Sequence, residues 1–160
     1  MMMNTQLGAI RGNPKVGFTC SCFDLFHAGH VMMLKEAKTQ CDYLIVGLQT
    51  DPTIDREWKN KPIQTVFERY VQLVACKYVD EIIPYATEKE LLDILTSYPI
   101  DVRIIGEEYR DKQFTGYNLN MGIYFNSRQH SFSTTELRHR VLNETNRKLQ
   151  PITSVRDLKE

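Results

Sequence analysis

The sequence predicts an α/β protein of the Rossmann-like, doubly wound class, with a mainly parallel five-stranded sheet and helices on both faces. Short apolar runs of strand length alternate along the chain with segments whose apolar residues repeat at helical spacing. The run from Asp42 to Leu48 is almost continuously apolar, which is typical of a strand buried on both faces of a parallel sheet. A strand, a helix and a parallel strand in succession form a right-handed crossover.

The secondary structure elements follow from this alternation, taken in chain order. In the second helix, Val66, Tyr70, Leu73 and Val74 fall on one side at helical spacing. Strands are predicted at residues 15–20, 42–48, 79–85, 102–106 and 121–126. Helices are predicted at residues 31–40 (beginning near Gly29 or His30), 65–77 and 87–98, with a fourth that begins after Ser133.

The third helix has recognisable signals at both ends. Thr87 and Glu90 have the spacing of a capping box, in which a hydroxyl and a carboxylate each accept a backbone N–H of the other residue. The helix must end before Pro99, because a residue that precedes proline is biased to extended geometry.

The composition fits one domain with its own core, since 42% of the 160 residues are hydrophobic. We expect a flexible leader at residues 1–14, a single domain at 15–146 and a tail at 147–160. The formal net charge of zero does not favour bulk nucleic acid or an anionic membrane as a partner. Four cysteines without framework spacing indicate a reducing compartment, so a cytoplasmic location is expected.

The stretch from Ser21 to His30 joins the first strand to the first helix and is the strongest candidate site. A strand-to-helix turn directs backbone N–H groups and the positive end of the helix dipole at one place. His27 and His30 would lie on one face of the first helical turn, and Gly29 would let a ligand approach the main chain. The stretch therefore predicts a phosphate site. Metal ligation is the alternative, but zinc sites need three or four ligands at recognisable spacing.

A second helix start, at Ser133 to Glu136, has the same potential. Ser133 and Glu136 form a capping box, so Ser133 has a purely structural explanation as a helix cap. Thr134 and Thr135 in the first turn would nevertheless present hydroxyl and N–H groups to an anion. Arg128, just upstream, offers a planar charged fork that suits phosphate oxygens.

Two loops complete the candidate site. The segment from Gln49 to Pro62 is long, polar and irregular, and it contains Lys59 and Lys61. It is either a solvated charged loop or a mobile lid whose lysine reaches a bound phosphate. Residues 106–109 follow the fourth strand, where ligands of open parallel sheets bind, so they should line the pocket.

Three strings of residues resemble one known family. The string CFDLFHAGH from Cys22 to His30 resembles the signature of the cytidylyltransferase-like nucleotidyltransferases. RQHSFSTT from Arg128 to Thr135 resembles a second string of its glycerol-3-phosphate and phosphocholine members. YVDEIIP from Tyr78 to Pro84 is similar to a string of the bacterial glycerol-3-phosphate cytidylyltransferases. The resemblance runs from about residue 15 to about residue 142 and implies the Rossmann-like fold.

The resemblance implies that CTP and an alcohol phosphate, most closely glycerol 3-phosphate, react to give a CDP-alcohol and pyrophosphate. It also implies Mg²⁺ carried by the triphosphate and a homodimer. The implied catalytic residues are His27, His30, Lys59, Lys61 and Arg128. The implied nucleotide-binding residues are Cys20, Ser21, Cys22, Phe23, Gly29, Gly106, Glu107, Arg128, Ser133, Thr134 and Thr135. The alcohol phosphate would be contacted by Asp24, Arg69 and Tyr109, although Asp24 also suits a turn-holding role and Arg69 a surface ion pair.

The chain departs from the family pattern at the rim of the site. Ser21 and Cys22 stand where the family has Gly and Thr, and residues 130–132 replace its Glu-Gly-Ile. These departures leave open ATP instead of CTP, or the phosphate of choline, ethanolamine or heptose as acceptor. A catalytically silent nucleotide-binding module is a further alternative. Choline would need an aromatic cage, for which the candidates are Trp58, Tyr109, Phe114 and Tyr117.

Overall fold

The computed structural model describes residues 12–127 and 130–149 and confirms the predicted fold class. The strands are β1 (Val16–Ser21), β2 (Tyr43–Gln49), β3 (Glu81–Tyr85), β4 (Val102–Gly106) and β5 (Gly122–Asn126). They form one parallel sheet in the order β3-β2-β1-β4-β5. The helices are α1 (Ala28–Lys38), α2 (Val66–Val74), α3 (Glu88–Ser97) and α4 (Thr134–Leu149), with a 3₁₀ turn at Glu107–Tyr109.

Helices cover both faces of the sheet, as predicted. Side chains alternate between the faces along each strand, so Phe18 and Ile45 pack toward Leu91 of α3. On the opposite face, strand residues such as Val46 pack toward α1 and α2, with Leu34 fully buried. Two separate apolar cores therefore fix the sheet between α3 on one side and α1 with α2 on the other.

The helix caps follow the sequence in one case and depart from it in another. Thr65 and Glu68 form a full capping box at the start of α2, with bonds of 2.7 and 3.2 Å. At α3, Thr87 caps the Glu90 N–H, but the Glu90 carboxylate accepts from Ala86 N instead, so the predicted box is only half formed. Extended backbone at residue 98 ends α3, as expected before proline.

One prediction about the helices was wrong in part. The buried side of α2 is formed by Arg69 and Leu73, whereas Tyr70 and Val74, expected on the same side as Leu73, are 39% and 60% exposed. The last helix runs to Leu149, so residues 147–149 of the expected tail are helical.

Several other expectations fall on parts of the chain without described structure. Residues 1–11 of the expected leader, Arg128 and residues 150–160 of the expected tail lie outside the described residues. None of the described helices is long and apolar enough to cross a membrane. The connection between β2 and α2, residues 50–65, is called the lysine loop below.

Candidate active site

A cavity of about 780 Å³ opens at the carboxyl ends of β1 and β4. These strands are the neighbours at which the chain reverses its direction across the sheet, which is where ligands bind in open α/β folds. The cavity wall combines the turn after β1, the lysine loop, the segment after β4 and the start of α4. The predicted site residues on this wall are Cys20, Ser21, Cys22, Phe23, Asp24, His30, Lys59, Gly106, Tyr109, Thr134 and Thr135.

The two histidines of the turn cap α1 reciprocally. His27 is the N-cap residue, and its Nδ1 accepts from Gly29 N at 3.0 Å. The Nδ1 of His30 accepts in turn from His27 N at 3.4 Å. The rings stack with centroids 3.9 Å apart. Because Nδ1 accepts a hydrogen bond in both rings, a neutral imidazole must carry its proton on Nε2 and can donate from there.

The starts of α1 and α4 meet, although they are about a hundred residues apart in the chain. The Nε2 of His27 lies 3.3 Å from Thr134 Oγ1. The same hydroxyl donates to the Asp24 carbonyl at 3.1 Å, so its oxygen is left to accept from His27. Two helix N-termini, each with N–H groups, therefore face the same region beside the cavity.

The pKa of His30 is lowered to about 3, chiefly by burial and further by the neighbouring His27. Burial penalises the charged imidazolium, and a second imidazole in ring contact adds repulsion. His30 is therefore neutral at pH 7 in the unliganded chain. A neutral ring with its proton on Nε2 is a hydrogen-bond donor on the cavity wall.

The turn after β1 is held in a strained conformation by the end of the lysine loop. Phe23 and Leu25 have φ angles of 53° and 50°, in the left-handed region that side chains rarely adopt. Gln64 Oε1 accepts from Leu25 N at 2.7 Å. Strain of this kind persists only where the surroundings fix the backbone, so Gln64 helps to position the histidine turn.

Asp24 holds the turn together from within, which favours its predicted turn-holding role over a contact with the alcohol phosphate. Its carboxylate is 5% exposed and accepts from Ile63 N and Gln64 N at 2.9–3.0 Å. Arg138 of α4 donates to the same carboxylate at 2.7 Å. Burial acts to raise the pKa of Asp24, but the Gln64 and Ile63 amides and Arg138 lower it overall. Asp24 is thus an ionised group with its acceptor sites largely occupied by protein donors.

Arg69 is buried, so its predicted role in a surface ion pair was wrong, and it lies off the cavity wall on which a contact with the alcohol phosphate was expected. It is 1% exposed and does not line the cavity as far as the described residues show. Its guanidinium donates to the carbonyls of Cys22, Gln49 and Thr50 at 2.6–2.8 Å, and to two further carbonyls at 3.1–3.3 Å. Arg69 therefore joins the end of β1 to the end of β2 and to α2.

Several other predicted residues lie off the cavity wall that the described residues form. Lys61 is 79% exposed and lies 4.0 Å from Asp51, so Lys59 is the loop lysine that lines the cavity. Glu107 pairs with Arg110 at the surface, whereas Glu108 faces the cavity. The remaining residues that do not line it are His27, Gly29 and Ser133.

Gly29 and Ser133 have structural explanations of their own. A Cβ at residue 29 would come within 2.8 Å of the His130 ring and 2.9 Å of the His27 ring, so only glycine fits there. Ser133 Oγ accepts from Glu136 N at 3.1 Å, which confirms the predicted helix cap. Arg128, the predicted phosphate fork, lies outside the described residues.

Several polar residues of the cavity wall were not singled out from the sequence, among them Gln49, Arg56, Glu88, Arg103 and Arg138. One signal was available for Arg103, because a single charge interrupts an otherwise apolar strand. Arg138 lies one turn after Thr134, on the side of α4 that faces the site. The other three reach the cavity only through tertiary packing.

The described residues contain no group of three or more His, Cys, Asp or Glu side chains that could hold a metal ion.

The predicted aromatic cage is partly assembled, since Phe114 packs edge-on against Tyr109 and Tyr117 on the cavity wall. Trp58 is 78% exposed and is not part of this cluster.

Comparison with known proteins identifies the family. The family model described as cytidylyltransferase-like matches residues 18–140. The chain belongs to the cytidylyltransferase-like family. Within this family it is 31% identical over 128 residues to "Bifunctional protein HldE" of Campylobacter jejuni (strain RM1221), an alignment that covers 79% of this chain. It is 34% identical over 120 residues to an ethanolamine-phosphate cytidylyltransferase of Arabidopsis thaliana, covering 70% of this chain.

The chain spans only 28% of the length of each of these two relatives. A solved structure shares the fold of this cytidylyltransferase-like chain: the lipopolysaccharide core biosynthesis protein from Thermoplasma volcanium GSS1, with a TM-score of 0.53 and 21% identity. The match covers 82% of this chain and 89% of that one. The family and the fold are therefore established by separate comparisons.

Proposed function

We propose that this chain is a nucleotidyltransferase that joins CTP to an alcohol phosphate, giving a CDP-alcohol and pyrophosphate. The observation that supports this most is the meeting of the α1 and α4 starts through His27 and Thr134, 3.3 Å apart beside a cavity of about 780 Å³. Two helix N-termini at one place suit a polyanion such as a triphosphate. Membership of the cytidylyltransferase-like family supports the same reaction.

The proposed reaction is an in-line attack by an oxygen of the alcohol phosphate on the α-phosphorus of the nucleotide. A phosphomonoester oxygen is already nucleophilic at neutral pH, so the enzyme must mainly supply position and positive charge. His30 would donate from Nε2 to the α-phosphate, and Lys59 would attract the incoming phosphate. Thr134 and Thr135, with Arg128 as a further proposed ligand, would hold the β- and γ-phosphates that leave as pyrophosphate.

Mg²⁺ is proposed to arrive with the triphosphate, bound mostly by its oxygens and by water. The described part of the chain offers no cluster of three protein ligands, so it would not form a metal cage of its own. The ion would neutralise charge on the triphosphate, while His30 and Lys59 act from the protein.

Glycerol 3-phosphate is the proposed acceptor, on the strength of the YVDEIIP string from Tyr78 to Pro84. Phosphoethanolamine is a second candidate, because a relative that is 34% identical is named an ethanolamine-phosphate cytidylyltransferase. ATP in place of CTP, or the phosphate of choline or of a heptose, are further combinations to test.

The experiment that tests the function is pyrophosphate release, measured for CTP, ATP, UTP and GTP against a panel of alcohol phosphates. Release with CTP and an alcohol phosphate, with a CDP-alcohol identified by mass, is the expected result. Release with ATP alone would refute the cytidylyl assignment. No release with any pair would favour a silent nucleotide-binding module.

His30→Ala should lower kcat by about 100- to 1000-fold, because loss of one transition-state donor costs about 2.7–4 kcal/mol. His139→Ala is the matched control, since His139 lies exposed on α4. Circular dichroism should show that both variants are folded. A folded His30→Ala protein with near-normal turnover would contradict the role assigned to His30.

We also propose that two copies of the chain pair in solution through α2. Phe67, Val71 and Val74 are 74%, 48% and 60% exposed and lie on one side of this helix with Tyr70. Phe67→Asp should convert a dimer into a monomer in light scattering. A monomeric wild-type protein would refute the pairing and leave the proposed reaction intact.

A further inference from the structure

One part of the cavity lies on the α3 face of the sheet, opposite the histidine turn. This α3-side lobe is lined by Cys20, Gln49, Arg56, Tyr85, Glu88 and Arg103. Arg103 is placed on the α3 face because neighbouring parallel strands present paired residues to the same face, and Arg103 pairs in register with Phe18 of the α3-side core. The triphosphate is proposed to lie against α1 and α4, on the other side of the end of β1. The α3-side lobe is therefore the space left for the rest of the acceptor.

Arg103 places a buried positive charge in this lobe. The residue is 3% exposed, and its guanidinium donates to the Thr115 carbonyl and contacts the Cys20 thiol. No carboxylate among the described residues forms an ion pair with it. A guanidinium has five N–H donors, so several are left for a ligand in the cavity. Charges are rarely buried without a partner, and a bound oxygen ligand would supply one.

Two further donors beside Arg103 lack protein acceptors. Gln49 is 5% exposed, and its Nε2 is buried without a hydrogen bond, while its Oε1 accepts from Arg56 at 2.9 Å. The Nε of Arg56 is also buried without a hydrogen bond, although it lies 3.8 Å from a carboxylate oxygen of Asp55. Unpaired buried N–H groups cost free energy unless a ligand satisfies them. The lobe thus presents buried N–H donors that the protein leaves without an acceptor.

The features of the lobe that would suit a cation are already occupied. The Glu88 carboxylate pairs with Arg56 at 3.0 Å and accepts from the Thr115 hydroxyl. The guanidinium of Arg103 lies 5.0 Å from the centroid of the Phe114 ring, so the protein's own cation takes the aromatic face that an ammonium group would need. Glu108, a further acid on the cavity wall, is exposed at the rim.

We propose that Arg103, with Gln49 and Arg56, forms a specificity subsite for acceptors that carry oxygen groups beyond their phosphate, either hydroxyls or a carboxylate. An acceptor with an ammonium group in that place is selected against. This inference rests on the proposed transferase function, because it assigns the α3-side lobe to the acceptor of that reaction.

The test compares kcat/KM for glycerol 3-phosphate, 3-phosphoglycerate and phosphoethanolamine, at saturating CTP, in the wild type and in Arg103→Met. A hydrogen bond to a charged group is worth enough for the variant to lose about ten- to hundredfold with the oxygen-rich acceptors, through KM. Phosphoethanolamine should change by less than about threefold, and the KM for CTP should not move. The first two acceptors distinguish recognition of hydroxyls from recognition of a carboxylate.

Gln49→Glu provides a second variant in case Arg103→Met disturbs the loop at Thr115. It keeps the acceptor for Arg56 but replaces the unpaired N–H with a carboxylate oxygen, so use of phosphoethanolamine should rise relative to glycerol 3-phosphate. Arg140→Met, an exposed arginine on α4, is the matched control and should leave all ratios unchanged.

The outcomes separate this inference from the proposed reaction. A wild type that prefers phosphoethanolamine, or a preference that neither variant alters, would overturn the subsite and leave the transferase function in place. A raised KM for CTP alone would mean that the lobe holds the nucleobase, which also overturns it. If no pair of substrates turns over, calorimetric binding of the same three acceptors decides, and equal binding by wild type and Arg103→Met refutes the subsite.

Discussion

The lowered pKa of His30 makes a quantitative prediction about stability. The folded pKa is about 3 and the ordinary value is 6.5, so the unfolded chain binds a proton at His30 between these limits and the folded chain does not. The stabilising contribution is therefore complete above pH 6.5 and is lost as the pH falls. The slope rises from about 1.0 kcal/mol per pH unit at pH 6 to about 1.3 at pH 5, and the loss between pH 7 and pH 5 sums to about 2 kcal/mol.

The assay is urea unfolding at pH 7, 6 and 5 for the wild type and His30→Gln. Other titrating groups cancel in the difference between the two proteins, which should shrink by about 2 kcal/mol from pH 7 to pH 5. Glutamine suits this position because a Gln at the third helical residue can still accept from the N-cap N–H, as His30 Nδ1 does from His27.

His139→Gln is the control, since an exposed histidine should give a difference that does not vary with pH. A difference for His30→Gln that stays constant between pH 7 and pH 5 would refute the burial argument. The His30 ring would then have the same protonation in the folded and unfolded states, and its assignment as a neutral hydrogen-bond donor would be refuted as well.

Two further predictions concern the framework of the site. Arg69→Met should lower the free energy of urea unfolding by at least about 3 kcal/mol. It leaves the buried carbonyls of Cys22, Gln49 and Thr50 without a donor, at a cost of about 1–3 kcal/mol each. A loss under 1 kcal/mol would show that water binds these carbonyls in place of the guanidinium. Thr65→Ala should cost about 1 kcal/mol through the lost cap of α2, with an unchanged m-value, and a neutral result would mean that the capping box is not formed in solution.

The fold could be predicted because its signals are local. Each strand is a short apolar run, such as Tyr43 to Leu48, and each helix has a cap or a period that the sequence displays. The assignment failed for the buried face of α2, where periodicity favoured Tyr70 and Val74 over Arg69. An arginine is expected at the surface when only the sequence is known. The burial of Arg69 is favourable because several backbone carbonyls accept hydrogen bonds from its guanidinium.

The candidate site was predictable where its residues lie in helix starts and turns. The strings around His30 and Thr134 have recognisable local geometry, and the structure brings both to one place. The α3-side lobe was not predicted, because the one charge within the apolar β4 run, Arg103, shows its role only beside residues of neighbouring strands such as Gln49. Glu107 was predicted for the cavity wall, but in the 3₁₀ turn after β4 it is Glu108 that lines the cavity.

Asp24 shows why a residue that looks catalytic can be more important as a connector. Its carboxylate binds the end of the lysine loop through Ile63 N and Gln64 N, and it binds α4 through Arg138. Its own carbonyl accepts from Thr134, so one residue links the histidine turn, the loop that carries Lys59 and the second phosphate-facing helix. These hydrogen bonds fix the positions of the three elements relative to one another. The strained turn at Asp24 therefore sets the spacing between the groups proposed to hold the α-phosphate and those proposed to hold the leaving pyrophosphate.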